Sequence, residues 1–234
     1  MFFYPIYFDY TYILVIIGFV ITAWASINIK STYAKYSQQR AQCGLRANEV
    51  ARAILNSANI YDIRIGRING NLTDNFNPKN CIVSLSDSVH DSTSIAAIGV
   101  AAHECGHAIQ YHEGYSLIKI RNTIVPIVNV GSSLSLPVIL IGVLIGMSNI
   151  VTFGIFLFSL TLIFQLITLP VELNASSRAL EILKTSGQFT PNELSGAKKV
   201  LTAALLTYVA AALSTLLQLL RLVLIFGGKS NKRR

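Results

Sequence analysis

The sequence predicts a mainly α-helical membrane protein in which about four transmembrane helices are joined to one polar, folded domain. Three observations carry this. Charged residues make up 13% of the 234 positions, about half of the ~25% usual in soluble proteins, and mean hydropathy is positive at +0.53. Apolar residues gather into uninterrupted runs of roughly 17 to 22, the length that crosses a bilayer core. The polar residues concentrate instead between Lys30 and Arg121, where ten Lys or Arg accompany seven Asp or Glu.

A net charge of +8 raises the question of nucleic acid. The basic residues are scattered, however, and no aromatic-basic binding motif accompanies them, so the lipid bilayer is the expected partner and nucleic acid is not. Cys43, Cys81 and Cys105 form an odd set without C-x-x-C spacing, which argues against a disulfide framework and fits a reducing compartment.

In chain order, residues 1–10 are aromatic and lack Lys or Arg, as an interfacial belt outside the membrane would. Thr11 to Ile29 offer 19 uncharged residues, enough to span. Ala23-Trp24-Ala25 resembles a signal-peptidase site, but without a basic n-region an uncleaved anchor is expected. The polar stretch then carries the positive excess, which places it on the cytoplasmic side. Within it, Arg46 to Ala58 has helical periodicity with Val50, Ile54 and Leu55 on one face. Asn69-Gly70-Asn71, Asp74-Asn75 and Asn77-Pro78 mark turns, and Cys81 to Ser86 alternates as a short strand, read as a sheet edge able to hold an extended peptide.

Ser94 to Gln110 follows, reading SIAAIGVAAHECGHAIQ. Asp91, Ser92 or Ser94 can cap it, and no proline interrupts it before Pro126. It contains His-Glu-x-x-His, in which two imidazoles bind zinc and the glutamate acts as general base. On a helix His107 falls about 40° from His103, and Glu104 about 60° beyond His107, so one face presents all three. Cys105 points away from His103 and is expected to be a small buried thiol rather than a ligand.

After Tyr115 the chain turns apolar in two blocks, Leu134 to Met147 with its flanks and Ile150 to Leu169, joined at Ser148-Asn149 as a tight hairpin that returns to the cytoplasmic side. Pro170 is a natural place for the second helix to kink or restart. A catalytic zinc wants a third protein ligand. His112 lies about 180° around the helix from His103, so geometry excludes it. Glu172 is better placed, because Ala175, Ser176 and Ala179 on its face are small enough for a second helix to approach. The alternative for Glu172 is an interfacial acid capping a helix N-terminus. Thr185-Ser186-Gly187 then ends that helix, Pro191 opens another, and Lys198-Lys199 precede an apolar run from Val200 to about Leu220. That run is read as a fourth span, although a helix packed on the polar domain would also accommodate it.

The expected division is an N-terminal anchor over 1–29, a cytoplasmic polar region with the motif helix over 30–123, and a transmembrane hairpin over 124–170. A helix and connector with the third ligand follow over 171–199, then a hydrophobic helix over 200–226 and a basic tail over 227–234.

SIAAIGVAAHECGHAIQ and the later stretch TLPVELNASSRA, Thr168 to Ala179, closely resemble the YugP-like neutral zinc metallopeptidases of bacterial membranes. The resemblance covers nearly the whole chain. It implies a zincin-like catalytic domain, built on the active-site helix and a short edge strand, with Zn2+ held by His103, His107 and Glu172 and with Glu104 as catalytic base. More distantly, the order of motif, hairpin and Glu-x-x-Ala is similar to HtpX-type and prenyl-protein proteases. In those an acid usually follows the ligand Glu by four residues, where this chain has Ser176.

The expected function is therefore a membrane-bound zinc endopeptidase, multi-pass in a bacterial plasma membrane, that hydrolyses peptide bonds of a protein or peptide substrate with zinc-activated water. Arg178, Tyr111 and Tyr115 are candidate oxyanion donors that spacing alone does not rank. A non-catalytic zinc-stabilised scaffold or regulatory pseudoprotease is the alternative. Intramembrane proteolysis is disfavoured, because the motif's apolar run is short, charges flank it and an Asp-Gly ligand motif is missing.

Overall fold

The computed structural model describes residues 9–227. The aromatic segment 1–8 and the basic tail 228–234 lie outside the described residues. In chain order the elements are α1 (Tyr12–Ser37), α2 (Ala47–Ser57), β1 (Arg64–Ile68), β2 (Asn75–Asn77), β3 (Ile82–Ser86), α3 (Ile95–His112), α4 (Ser116–Leu144), α5 (Ser148–Thr185) and α6 (Pro191–Phe226). Four of them, α1, α4, α5 and α6, are long and apolar enough to cross a membrane. The final apolar run is thus part of one long helix of spanning character.

The chain divides into two compact units, one of 26–120 and 168–207, the other of 9–25, 121–167 and 208–227. The second is apolar outside as well as inside. Ile16, Phe19, Leu136, Leu140, Phe156 and Leu216 are all exposed, as lipid-facing residues are. Its helices touch where side chains are small. A Cβ on Gly18 would lie 2.8 Å from Ser214 Oγ, and one on Gly142 would lie 2.7 Å from the Val151 backbone nitrogen. Without a hydrophobic drive between helices in lipid, such close approach is what makes them associate. The turn between α4 and α5 falls at 145–147, just before the pair Ser148-Asn149 that the sequence suggested, and Gly146 supplies its positive φ of 72°.

The first unit holds the water-soluble style of core. Val50, Ile54 and Leu55 of α2 meet Val83 and Leu85 of β3 and Ile98, Ala101, Ala102, Cys105 and Ala108 of α3. The Cys105 thiol is fully buried, 3.6 Å from the Ala51 carbonyl oxygen, and burial pushes its pKa up, so it stays a protonated packing group.

The sheet corrects one expectation. Its order is β1-β3-β2, with β1 parallel and β2 antiparallel to β3. The strand read as an edge is therefore the centre, and the edges are β1 and β2. Alternation in Ile82 to Ser86 reports a buried face, but it carries no information about lateral neighbours. Those neighbours bear Arg64, Arg67, Asn75 and Asn77, too polar to register as strands.

Proline 170 neither breaks nor restarts the chain, for α5 is one helix through it. A proline forfeits its own bond to the carbonyl four residues back and crowds that carbonyl, yet the helix continues. The following turn is secured by Val171, Ala175 and Ala179, all fully buried.

Helix starts are chemically defined. Thr190 and Glu193 form a capping box before α6: Glu193 Oε2 accepts from Thr190 N at 2.7 Å, and its Oε1 also accepts from Gln42 N at 2.6 Å. Ser94 caps α3, its Oγ accepting from Ala97 N at 3.2 Å. Ser94→Ala is expected to destabilise this unit by about 1 kcal/mol, a loss read as a lowered thermal midpoint with the α3 motif unchanged.

Candidate metal centre

The Ser94 cap and the absence of proline keep α3 regular, so His103 and His107, one turn apart, stand on the same face. Their ring centroids are 4.7 Å apart and nearly perpendicular, at 82°. Glu172 reaches them from α5. Its Oε2 lies 3.1 Å from His103 Nε2 and 3.5 Å from His107 Nε2, and one ligand atom from each residue fits within 4.8 Å of the others. All three belong to the first unit. Glu172 sits deep inside α5 rather than at a helix start, which removes the capping alternative.

Glycine 106 explains how the helices come so close. A Cβ there would lie 2.6 Å from the Ala175 carbonyl oxygen, a contact backbone does not tolerate. Gly106 on α3 and Ala175 on α5 thus cross backbone to backbone, one turn from Glu172. The sequence shows the small face of α5, and Gly106 belongs to the motif that carries the family resemblance, but nothing in the sequence assigns it this packing role.

Burial governs the electrostatics. Glu172 is 2% exposed, His107 8% and Glu104 9%. A buried carboxylate costs several kcal/mol unless positive charge accompanies it. Burial alone would lower the His107 pKa, but the Glu172 carboxylate beside its Nε2 and the charge of Glu104 override this and raise it. The pocket favours a cation. Burial pushes the Glu104 carboxyl up, against the pull of His103 and His107, with Glu172 and Asp74 adding to the rise. Glu104 stands beside the three-residue cluster but outside it.

The other imidazole nitrogens are also occupied. Ser176 Oγ is 3.1 Å from His103 Nδ1. His107 Nδ1 is 3.0 Å from Gln110 Oε1. Gln110, fully buried, donates through Nε2 to the Val171 carbonyl at 2.8 Å and to Asn174 Oδ1 at 2.9 Å. Arg178 Nε donates to the same Asn174 oxygen at 2.8 Å, and Arg178 Nη1 donates to Glu113 Oε2 at 2.6 Å. Sequence reasoning missed Gln110 and Asn174. Their positions, three residues after His107 and two after Glu172, were the available signal.

His112 is exposed and outside the cluster. Of the candidate oxyanion donors, Arg178 is committed to Glu113 and Asn174. Tyr111 packs on Phe76 of β2, the ring centroids 5.7 Å apart.

The donor set suits zinc: two imidazoles and a carboxylate, with the far nitrogen of each ring hydrogen-bonded as in metal-bound histidines. A family model described as "Putative neutral zinc metallopeptidase" matches residues 11–227. The chain belongs to that family. Among curated proteins it is 47% identical over 203 residues, 87% of this chain and 90% of the relative, to the "Putative membrane protease YugP" of Bacillus subtilis (strain 168). No solved structure matches.

For this member of the zinc metallopeptidase family, the crossing at Gly106 is the tightest constraint on the site. Gly106→Ala is expected to cost about 1–3 kcal/mol through overpacking and to weaken zinc retention as α5 is displaced. Thermal unfolding and metal analysis of the purified variant check both.

Proposed function

We propose that the chain is a membrane-bound zinc endopeptidase in which His103, His107 and Glu172 hold Zn2+ and Glu104 is the general base. The convergence of three ligand atoms within 4.8 Å, beside a carboxyl kept out of that cluster, supports this reading above all. The family membership and the four apolar helices agree with it.

When bound, zinc supplies Lewis acidity, polarising the scissile carbonyl and acidifying a water. The protein residues do the rest. Glu104, its proton affinity raised by burial, accepts a proton at its carboxylate and returns it to the leaving amine. Ser176 and Gln110 hold the imidazoles in orientation. An extended peptide adds to the free edge of β2, where Phe76 and Tyr111 form an aromatic wall.

The excess of Lys and Arg in the polar stretch supports a site on the cytoplasmic side, in a bacterial plasma membrane. The substrate is a protein or peptide.

The test separates holding the metal from using it. Glu104→Gln is expected to retain zinc and lose at least roughly 100-fold in cleavage of casein; turnover equal to the unaltered protein's would overturn the assignment of the base and favour a zinc-stabilised scaffold. Glu172→Ala is expected to purify with much less zinc. A chelator should abolish cleavage and added zinc restore it.

A further inference from the structure

The geometry points to Gln110 as a positioning residue that, anchored through Asn174 and Arg178, commits neutral His107 to the tautomer with a hydrogen on Nδ1 and a bare lone pair on Nε2. Donors and acceptors fix the amide orientation. A guanidinium only donates, so the Asn174 atom facing Arg178 Nε is oxygen. That same oxygen faces Gln110, so the Gln110 atom there is the amide nitrogen. The Val171 carbonyl, which only accepts, requires that nitrogen independently. Two separate anchors thus leave Gln110 Oε1 facing His107 Nδ1 at 3.0 Å. An amide oxygen only accepts, so Nδ1 carries the hydrogen. The competing acceptor, Glu172 Oε2, lies farther from the ring, at 3.5 Å from Nε2, and already faces His103 Nε2 at 3.1 Å, so in the neutral ring the lone pair falls on Nε2.

The amide orientation is often ambiguous for a glutamine in isolation. Here it is fixed from outside, and the fixing runs outward to the Arg178–Glu113 ion pair at the end of α3. One feature of the arrangement separates positioning from mere packing: Asn174 acts only through its oxygen. An aspartate at 174 keeps both accepted hydrogen bonds, whereas a leucine of similar size keeps neither.

The consequence for zinc rests on the function proposed above, while the tautomer does not. Two measurements distinguish them. Imidazole 15N shifts of the metal-free protein at high pH, where the ring is neutral, read the tautomer. Competition with a fluorescent zinc chelator reads affinity. The unaltered protein is expected to show His107 with Nδ1 protonated, and Gln110→Leu a mixture of tautomers with zinc affinity roughly 10–100-fold lower. Asn174→Leu should move in the same direction by less, and Asn174→Asp should return both readings towards the unaltered protein's.

A His107 ring protonated on Nε2 in the unaltered protein would overturn the inference. So would Gln110→Leu with unchanged shifts, or Asn174→Asp as damaged as Asn174→Leu in a folded chain. An unaltered protein with the expected tautomer but no zinc uptake would support the role of Gln110 and retire the metal reading.

Discussion

Everything at this site depends on two helix backbones touching at Gly106 and Ala175. Helix axes ordinarily stay ~8–10 Å apart because side chains stand between them. Removing one Cβ and limiting the other side to a methyl lets α5 come near enough for a short carboxylate side chain to reach two imidazoles on α3. Once there, the carboxylate is sealed from water, and its charge needs a positive companion. Packing thereby creates an electrostatic demand that a divalent ion would meet.

Around that contact, the amide of Gln110 and the far nitrogens of both imidazoles have partners. Gln110 is fully buried yet uses both ends of its amide, and Ser176 stands at the far nitrogen of the other imidazole. A half-satisfied network would be worse than an apolar one, because a stranded buried donor or acceptor costs about 1–3 kcal/mol. The network holds both rings in orientation, so their Nε2 atoms point at Glu172.

Much of this was legible in the sequence, for identifiable reasons. The spacing of His103, Glu104 and His107 is a statement about helical angles, and helical angles survive folding. The small face at Ala175, Ser176 and Ala179 announced a close neighbour for Glu172, and long apolar runs announce themselves by length. Lateral information was not legible. Nothing in Ile82 to Ser86 says that both flanks are occupied, nor do Asn75 to Asn77 look like a strand, since a polar edge of three residues has no hydrophobic pattern to display. Gln110 and Asn174 stayed hidden because a buried amide and an exposed one are spelled alike, and only the partner distinguishes them.

The separation between the first imidazole and the carboxylate has a temporal side. His103 and Glu172 are 69 positions apart, and the intervening chain includes all of α4 and the apolar start of α5. A ribosome finishes α3 well before it begins α5, so the nascent polypeptide owns two converging donors and lacks the third until the hairpin has been made. Completion of the trio therefore reports that α4 and the apolar start of α5 have been synthesised, and the newborn molecule cannot assemble its full donor set ahead of that hairpin.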